Sequence, residues 1–303
     1  MIGKIPKALM DCFGTLEKIY DVVRIVDPIN NKVIYYKKDS ADVTLNEDSC
    51  YGFWQKDKFC SNCISLRAFL KQDTFVKFEV VNNRIYMITA SPVQCQGGSC
   101  VVEMLNDITD KSVLESVLGT QQEDFSDVIL RFNDTFVKDE LTKLFNRRFI
   151  NERLPVEIAT NIAASSSACL VILDLDNFKF INDNYGHIAG DVILKQFSAL
   201  LKNDVDGIKD WVARFGGDEF IICLNNTTCG QAMKIAEKIR QDVESFSFTT
   251  KGLAFNITCS IGIGVLEKTM DMEAWINVSD QNLYIAKSQG GNKVVCGVQN
   301  KSI

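Results

Sequence analysis

The sequence predicts a two-domain chain of α+β and α/β character with a helix between the domains. Its 303 residues suit two domains of ordinary size, and its 46% hydrophobic and 24% charged residues are typical of globular proteins. Residues 1–109 are rich in strand and turn signals, residues 110–138 have a helical period without Pro, and residues 139–303 alternate between helix and strand. We therefore place the domain boundaries at 109/110 and 138/139.

The charge balance excludes several classes of partner. The chain has 33 Lys and Arg residues against 39 Asp and Glu residues, which leaves a net charge of −6. Nucleic-acid backbones are bound mainly through Lys and Arg, so a phosphate ligand must be met locally, by a metal ion or a few basic groups. No apolar run approaches the roughly 18 residues of a membrane helix, and the N-terminus lacks the apolar core of a signal peptide. We expect no nucleic-acid partner, no membrane association and a cytoplasmic location.

The first domain is predicted to contain hairpins. Two β-rich segments flank a turn at residues 27–31, two more flank Asn82-Asn83, and a further strand covers residues 100–106.

A heptad-like apolar seam runs along the segment 110–138. It steps by threes and fours through Leu114, Leu118, Gln121, Phe125, Val128, Phe132 and Phe136. The pattern favours a parallel dimerising helix, and the alternative is an ordinary amphipathic helix packed on one domain.

The second domain is predicted to be a central sheet flanked by helices. Strands are expected at 168–174, 211–215, 220–224 and 255–265, and helices at 191–201, 228–246 and 271–289. The continuous apolar run at 168–174 should be buried on both faces of the sheet.

Two acidic residues stand where this predicted backbone turns. Asp174 ends the buried strand, and Asp218 lies at the tip of the hairpin RFGGDEF. If the two strands are neighbours, both carboxylates emerge at one sheet edge, where they can bind Mg²⁺ and a triphosphate. An acidic hairpin tip taken alone is more often a solvated turn.

Five separated motifs indicate the function of this domain more specifically than the acidic pair does by itself. In chain order they are DELTKLFNRR, DLDNFKFINDNYGHIAGD, RFGGDEF, SIGIG and DQNLYIAKSQGGN. Together they resemble the GGDEF domain of diguanylate cyclases, whose fold is similar to the palm of nucleotide cyclases. The resemblance implies that a homodimer condenses two GTP molecules into cyclic di-GMP and releases two pyrophosphates.

The resemblance also implies roles for individual residues. Mg²⁺ or Mn²⁺ would be held by Asp174, the Leu175 carbonyl, Asp218 and Glu219. Glu219 would either bind a second metal ion or help to deprotonate the attacking 3′-hydroxyl. The nucleotide would be contacted by Asn182 and Asp191 at guanine, and by Phe178, Asn177, Lys179 and Lys287 at the triphosphate. A carboxylate matches the two neighbouring donors of guanine, so Asp191 favours GTP over ATP.

The sequence departs from the family pattern at two places. The inhibitory product site RxxD of many relatives corresponds here to residues 207–210, where Gly207 replaces the Arg and Asp210 is retained. We expect weak or absent feedback inhibition at this degenerate site, because glycine offers no guanidinium fork. A second Arg of the family is replaced by Gly291, which removes one expected phosphate contact.

Four further residues are expected to serve the fold. The only histidine, His187, should make a structural hydrogen bond, and Asp139, Asn146 and Arg147 should make polar contacts that close the fold at the linker junction.

The first domain carries a weaker resemblance. The stretch VVEMLNDITD resembles the exit of a PAS domain, and CYGFWQKDKFCSNC resembles a Cys-containing PAS variant, which implies a PAS-like sensor. Cys50, Cys60 and Cys63 could hold a metal or act as redox-sensing thiols, and the alternative is that they pack as small apolar residues. The remaining cysteines, Cys169, Cys223, Cys229, Cys259 and Cys296, are expected mostly in the core.

Two other functions remain open. A silent GGDEF module would bind GTP or cyclic di-GMP as a receptor, and a variant cyclase would make a mixed GMP–AMP dinucleotide. The intact Asp174, Asp218 and Glu219 argue against the first. Asp191 argues against the second, because mixed-product relatives lack a carboxylate there.

Overall fold

The computed structural model describes residues 7–37, 49–95, 98–109, 122–205, 209–250 and 252–297. The chain divides into two compact units, Met1–Phe136 and Val137–Ile303. Within the described ranges, no helix is both long enough and apolar enough to cross a bilayer.

The first unit is built on a five-stranded antiparallel sheet. Its elements are α1 (Lys7–Leu16), β1 (Val22–Asp27), β2 (Lys32–Lys37), a 3₁₀ turn (Gly52–Trp54), α2 (Ile64–Lys71), β3 (Phe75–Val81), β4 (Arg84–Cys95), β5 (Gly98–Asp107) and α3 (Gln122–Val137). The strand order is β2-β1-β5-β4-β3.

Both predicted hairpins of this unit are confirmed, and local chemistry explains each turn. Asp27 Oδ1 accepts hydrogen bonds from the backbone amides of Ile29 (3.0 Å) and Asn30 (3.1 Å), which closes the turn between β1 and β2. Asn82 and Asn83 have φ of 50° and 58°, the left-handed values that a two-residue hairpin turn needs.

A charged pair lies inside the first unit. Arg24 is only 1% exposed and forms an ion pair with Glu103, which also accepts a hydrogen bond from the Ser65 hydroxyl. The Arg24 guanidinium stands over the Phe53 ring (4.9 Å) and the Trp54 ring (5.3 Å). Buried charges persist only when paired, so this cluster fixes the packing of the sheet against the 3₁₀ turn.

Helix α3 packs one face against the first unit and exposes another face to solvent. Ile129 is buried against Ile85 and Ile108 of the same unit, and Asn133 Nδ2 donates to the Phe78 carbonyl at 2.9 Å. The predicted seam lies elsewhere on the helix. Its residues 114, 118 and 121 and the side chain of residue 125 lie outside the described residues, whereas Val128 and Phe132 are 53% and 59% exposed. Val128 and Phe132 are therefore not used for packing within this unit.

The second unit is built on another five-stranded sheet. Its elements are α4 (Arg147–Ala164), β6 (Ala168–Leu175), α5 (Phe178–Tyr185), α6 (His187–Asp204), β7 (Trp211–Gly216), β8 (Glu219–Asn225), α7 (Cys229–Ser245), β9 (Ser247–Thr250), β10 (Leu253–Asn256), β11 (Cys259–Val265), α8 (Met272–Ser288) and β12 (Val294–Cys296). The strand order is β12-β11-β6-β8-β7, with only the β11–β12 pair parallel, and β9 pairs with β10 separately.

Helices cover both faces of this sheet, as predicted. All eight residues of β6 are buried. Helices α6 and α7 pack on the face that carries Leu173 and Phe220, while α4 and α8 pack on the face that carries Leu170. The central strand is thus shielded from water on both sides.

Two predicted elements were wrong in extent. The strand expected at 255–265 is two strands in different sheets, because Ile257 turns into the core and the Thr258 carbonyl accepts a hydrogen bond from the Asp176 amide at 2.9 Å. The helix expected at 191–201 runs from His187 to Asp204. It begins directly after Gly186, whose φ of 82° ends the preceding helix.

The SIGIG motif brings a helix into backbone contact with a strand. A Cβ atom at Gly262 would stand 2.1 Å from the Leu283 amide nitrogen, and one at Gly264 would stand 2.4 Å from the Ser279 hydroxyl. Asn282 Nδ2 donates to the Ile263 carbonyl at 2.7 Å on the same interface. Helix α8 therefore lies on β11 at a distance that only glycine permits.

Gly262→Ala is expected to lower the free energy of unfolding by about 1–3 kcal/mol or more, the usual range for overpacking a core. The reason is that the added methyl group meets rigid backbone of α8. Gly230→Ala on α7 is the matched control, since nothing lies within 4 Å of its Cβ position. Urea unfolding of both variants measures the difference. Equal free energies of unfolding for both variants contradict the close α8–β11 contact.

Candidate active site

Three carboxylates meet at one edge of the second sheet. Asp174, the penultimate residue of β6, stands directly opposite Glu219, the first residue of β8. Directly opposed residues of an antiparallel pair share a face, so both side chains lie on the α4/α8 side. Asp218 immediately precedes Glu219 at the hairpin turn. The predicted adjacency of the two strands therefore brings the acidic side chains to one place.

Burial and charge perturb two of these carboxyls. Asp174 is 7% exposed, and burial together with the nearby Asp218 charge raises its pKa to about 6, although Lys287 Nζ lies 2.7 Å from its Oδ2. The pKa of Glu219 is also raised, first by burial and then by the charge of Asp280. Mutual repulsion among carboxylates is relieved when a cation binds between them.

The tip of the β7–β8 hairpin is held in place by Arg214 and Asp139. Gly217 has φ of +54° in the two-residue turn. Its carbonyl accepts hydrogen bonds from Arg214 Nε (2.9 Å) and Nη2 (2.7 Å), while Arg214 Nη1 donates to Asp139 at 3.1 Å. Burial would raise the pKa of Asp139, but hydrogen bonds from Thr142 and then the Arg214 charge lower it. Asp139, at the start of the second unit, thus makes the expected fold-closing contact and fixes the carbonyl next to Asp218.

Asp176 organises the neighbouring loops, and sequence reasoning gave it no role. It accepts hydrogen bonds from the Thr258 hydroxyl (2.6 Å), the Ser260 hydroxyl (2.6 Å) and the Asn292 amide (2.9 Å). A Cβ atom at Gly291 would stand 3.1 Å from its Oδ1, at a φ of +72°. The available signal was the second Asp of LDLDNF. Asp176 holds the turn after β6 to the loop after α8, next to the last helical turn that carries Lys287 to Asp174.

The two residues expected at guanine lie on successive helices. The Asn182 side chain of α5 sits directly over Gly190 of α6, where a Cβ atom would come within 2.0 Å of its Oδ1. Asp191 follows Gly190 and is exposed. Gly190 thus lets the α5 amide approach the α6 carboxylate.

Other predicted site residues are placed as follows. The Phe178 ring is 6% exposed within the core, so the expectation that its side chain lines a triphosphate was wrong, because the ring is used for packing. Lys179 is exposed at the start of α5. Leu175 is buried and can offer only its carbonyl.

Two further expectations meet different outcomes. Asp210 Oδ1 accepts a hydrogen bond from the Asn225 amide at 2.8 Å, so this carboxylate serves the fold, whereas residue 207 of the degenerate inhibitory site lies outside the described residues.

His187 is exposed at the first turn of α6, and its side chain makes no hydrogen bond to any described residue.

The donor set at the sheet edge suits a hard divalent cation. Asp174, Asp218 and Glu219 offer carboxylate oxygens, the ligands that Mg²⁺ prefers. Among the described residues, no three His, Cys, Asp or Glu side chains are close enough together to enclose a metal ion.

The N-terminal thiols behave as packing groups. Cys63 Sγ caps α2 by accepting a hydrogen bond from the Leu66 amide at 3.3 Å, and burial raises its pKa to about 11. Burial likewise raises the pKa of Cys50 and of Cys60, the latter despite two nearby lysines. Thiols that stay protonated at neutral pH are poor nucleophiles and poor ligands. The predicted metal or redox role gains no support from this geometry.

The cysteines of the second unit divide into two groups. Cys169, Cys223 and Cys259 are fully buried, as expected. Cys229 and Cys296 are half-buried and form a disulfide, so the expectation of a core position was wrong for them. They begin α7 and end β12, two neighbouring elements whose ends lie at the rim of the core.

Comparison with known proteins identifies the second unit. The profile of the family described as "Diguanylate cyclase, GGDEF domain" matches residues 136–293. The chain belongs to the GGDEF diguanylate cyclase family. It is 38% identical over 156 residues to diguanylate cyclase DgcP of Pseudomonas aeruginosa and 39% identical over 157 residues to diguanylate cyclase DosC of Escherichia coli. These alignments cover 52% of this chain but only 23% and 34% of the relatives.

Solved GGDEF structures have the same fold. The GGDEF domain of DgcB from Caulobacter crescentus in complex with c-di-GMP gives a TM-score of 0.51 at 26% identity, covering 53% of this chain and 95% of that domain. Diguanylate cyclase SiaD of Pseudomonas aeruginosa in complex with its activator SiaC gives 0.53 at 28%, covering 61% and 71%. The GGDEF-type α+β fold of the second unit is thereby confirmed. Residues 1–135 lie outside the family match, so the PAS-like nature of the first unit stays a prediction.

Asp174→Asn is expected to stabilise the protein in EDTA at pH 7.5. The pKa of Asp174 is raised to about 6 in the folded state, whereas an unfolded Asp ionises near pH 3.9. The proton therefore favours folding fully below about pH 4, and this contribution is lost as the pH rises through about 6.

Removing the charge should recover on the order of 2 kcal/mol at pH 7.5 and little at pH 4. Chemical denaturation of wild type and variant at both pH values measures the gain. A gain of the same size at both pH values contradicts the raised pKa.

Proposed function

We propose that the protein is a diguanylate cyclase that condenses two GTP molecules into cyclic di-GMP as a homodimer. The observation that carries this proposal is the opposition of Asp174 and Glu219 across β6 and β8, with Asp218 at the adjoining turn. Membership of the GGDEF family supports it, as do DgcP and DosC, which are named diguanylate cyclases. In each half of the reaction, a 3′-oxygen forms a bond to the α-phosphorus of the other GTP as the bond to pyrophosphate breaks.

The protein groups at the sheet edge have separate roles in guanine recognition, phosphate binding and proton transfer. Asp191 and Asn182 accept and donate hydrogen bonds at the guanine edge, which selects GTP because adenine lacks the same donor pair. Lys287 and Lys179 contact phosphate oxygens. Glu219 has a raised pKa, which suits a carboxylate that accepts the proton of the attacking hydroxyl.

Mg²⁺ or Mn²⁺ would be held by the carboxylates of Asp174, Asp218 and Glu219 with the Leu175 carbonyl. When bound, the ion neutralises charge on the triphosphate. The Arg214–Gly217 hydrogen bonds keep Asp218 in position for this role.

The product assay tests the proposal directly. The purified full chain with Mg²⁺ and GTP is expected to yield cyclic di-GMP and two pyrophosphates per product, resolved by chromatography. Asp218→Asn should lower turnover by about 100-fold or more, because a ligand to the developing charge is lost. Asp242→Asn is the control, since this half-buried carboxylate on α7 forms an ion pair with Lys238 (2.8 Å) and has no assigned role at the site.

Other products identify the alternatives. Binding of GTP or cyclic di-GMP without pyrophosphate release would establish a receptor, and a mixed dinucleotide from ATP plus GTP would establish the variant cyclase. Equal turnover by Asp218→Asn and Asp242→Asn would contradict the assigned site.

The homodimer is proposed to form through the segment 110–138, which the sequence predicts to be helical and of which the structure describes α3 (Gln122–Val137). Val128 and Phe132 of the predicted seam are more than half exposed, and the Phe132 and Phe136 rings contact each other at 4.8 Å. Apolar seam residues of this kind are usually buried by a second helix.

Phe132→Ser is expected to shift the protein from dimer to monomer and to lower turnover with it, because each site needs a partner. Leu130→Ser is the control, since Leu130 is also exposed (49%) but lies off the seam. Sedimentation equilibrium gives the mass of each variant. Dissociation by Leu130→Ser alone would contradict the assigned seam.

The first unit is proposed to be a PAS-like sensor. Its five-stranded antiparallel sheet and the short helix α2 between β2 and β3 support this. Its last strand ends in a closed turn, where Asp107 Oδ1 accepts a hydrogen bond from the Thr109 amide at 3.0 Å. The turn lies where the resemblance places the exit into a signalling helix.

A further inference from the structure

Arg147 stands apart from the other arginines near the GGDEF hairpin. Arg148 pairs with Glu152, and Arg214 pairs with Asp139. Arg147 was expected to close the fold. Instead it is exposed and makes no ion pair or side-chain hydrogen bond with any residue in the described part of the chain.

The fold holds Arg147 beside the hairpin. The Arg214 amide donates to the Phe145 carbonyl at 2.8 Å, and the Phe145 amide donates to the Val212 carbonyl at 3.3 Å, so the segment before α4 runs along β7. Helix α4 begins two residues later, and its first side chain, Arg147, lies over the Phe215 ring at 4.6 Å. Phe215 lies three residues before Asp218. The position of Arg147 is therefore set by backbone pairing.

Arg147 lies on the α4 side of the candidate site, within electrostatic reach of Glu219. Helix α4 packs on the sheet face from which Asp174 and Glu219 project. Burial and the Asp280 charge raise the pKa of Glu219, while the Lys287 and then the Arg147 charges oppose that rise. A guanidinium within electrostatic reach of this edge, but without a carboxylate partner, is available to a ligand.

We propose that Arg147 is a further nucleotide-binding residue, whose guanidinium contacts phosphate oxygens of GTP bound beside Asp174 and Asp218. This inference rests on the proposed function of that site. A planar guanidinium matches two phosphate oxygens at once, and stacking on Phe215 orients it before the ligand arrives.

The charge balance of the edge supports this assignment. Asp174, Asp218, Glu219 and Asp280 place four negative charges near a triphosphate that is itself strongly negative. Lys179 and Lys287 are the assigned phosphate cations, and Gly291 stands where relatives often have an Arg. Arg147 supplies a further cation on the α4 side.

Binding of the α,β-methylene analogue of GTP to the full chain with Mg²⁺, measured by calorimetry, tests the inference without turnover. Arg147→Gln and Arg147→Lys both keep an aliphatic stem, but only Lys keeps the charge. Arg147→Gln is expected to weaken binding by about 10- to 100-fold, as for a lost charge-assisted contact, and Arg147→Lys by only a few-fold. Arg148→Gln is the control, because Arg148 is the neighbouring exposed arginine. This variant should bind the analogue as tightly as the wild type does.

Circular dichroism melts confirm that each variant is folded. The proposal is overturned if Arg147→Gln binds the analogue within twofold of the wild type. A wild type that binds the analogue but makes no cyclic di-GMP refutes the cyclase proposal alone. An active wild type with normal binding by Arg147→Gln refutes only the role of Arg147.

Discussion

The antiparallel pairing of β6 with β8 is the constraint on which the candidate site depends. Its register sets Asp174 opposite Glu219, and the two-residue turn before β8 adds Asp218 to the same edge. A shift of one residue would turn Glu219 to the other face, because side chains alternate along a strand. The register is protected by close packing, since every residue of β6 lies in the core and a slipped strand would place each side chain in a space shaped for another.

Close packing and buried hydrogen bonds bring the cations to this edge. Glycines in β11 let α8 lie against the sheet, and the last turn of α8 carries Lys287 to Asp174. Asp176 then joins the turn after β6 to the loop after α8. On the other flank, Arg214 connects the hairpin carbonyl to Asp139. The acidic edge is thus held on one flank by Asp176 and on the other by Arg214.

The first unit combines a satisfied buried ion pair with an exposed helix seam. The pairing of Arg24 and Glu103 fixes its interior, and the inner face of α3 is attached to the same unit. Because Val128 and Phe132 are not used in that packing, one helix can be held by the first unit and still pair with a second copy. This arrangement suits a proposed link between sensing and dimer geometry.

The sequence by itself determined the elements whose signals are local. The apolar run of β6, the asparagine turn at 82–83 and the RFGGDEF hairpin follow from burial period and turn chemistry, and the five motifs pointed to the GGDEF family. Contacts distant in sequence were decided only by the tertiary structure. The division at Ile257, the role of Asp176, the buried ring of Phe178 and the stacking of Arg147 on Phe215 each depend on which strands and helices become neighbours. A periodic pattern encodes which face of an element is buried, but not which partner covers it.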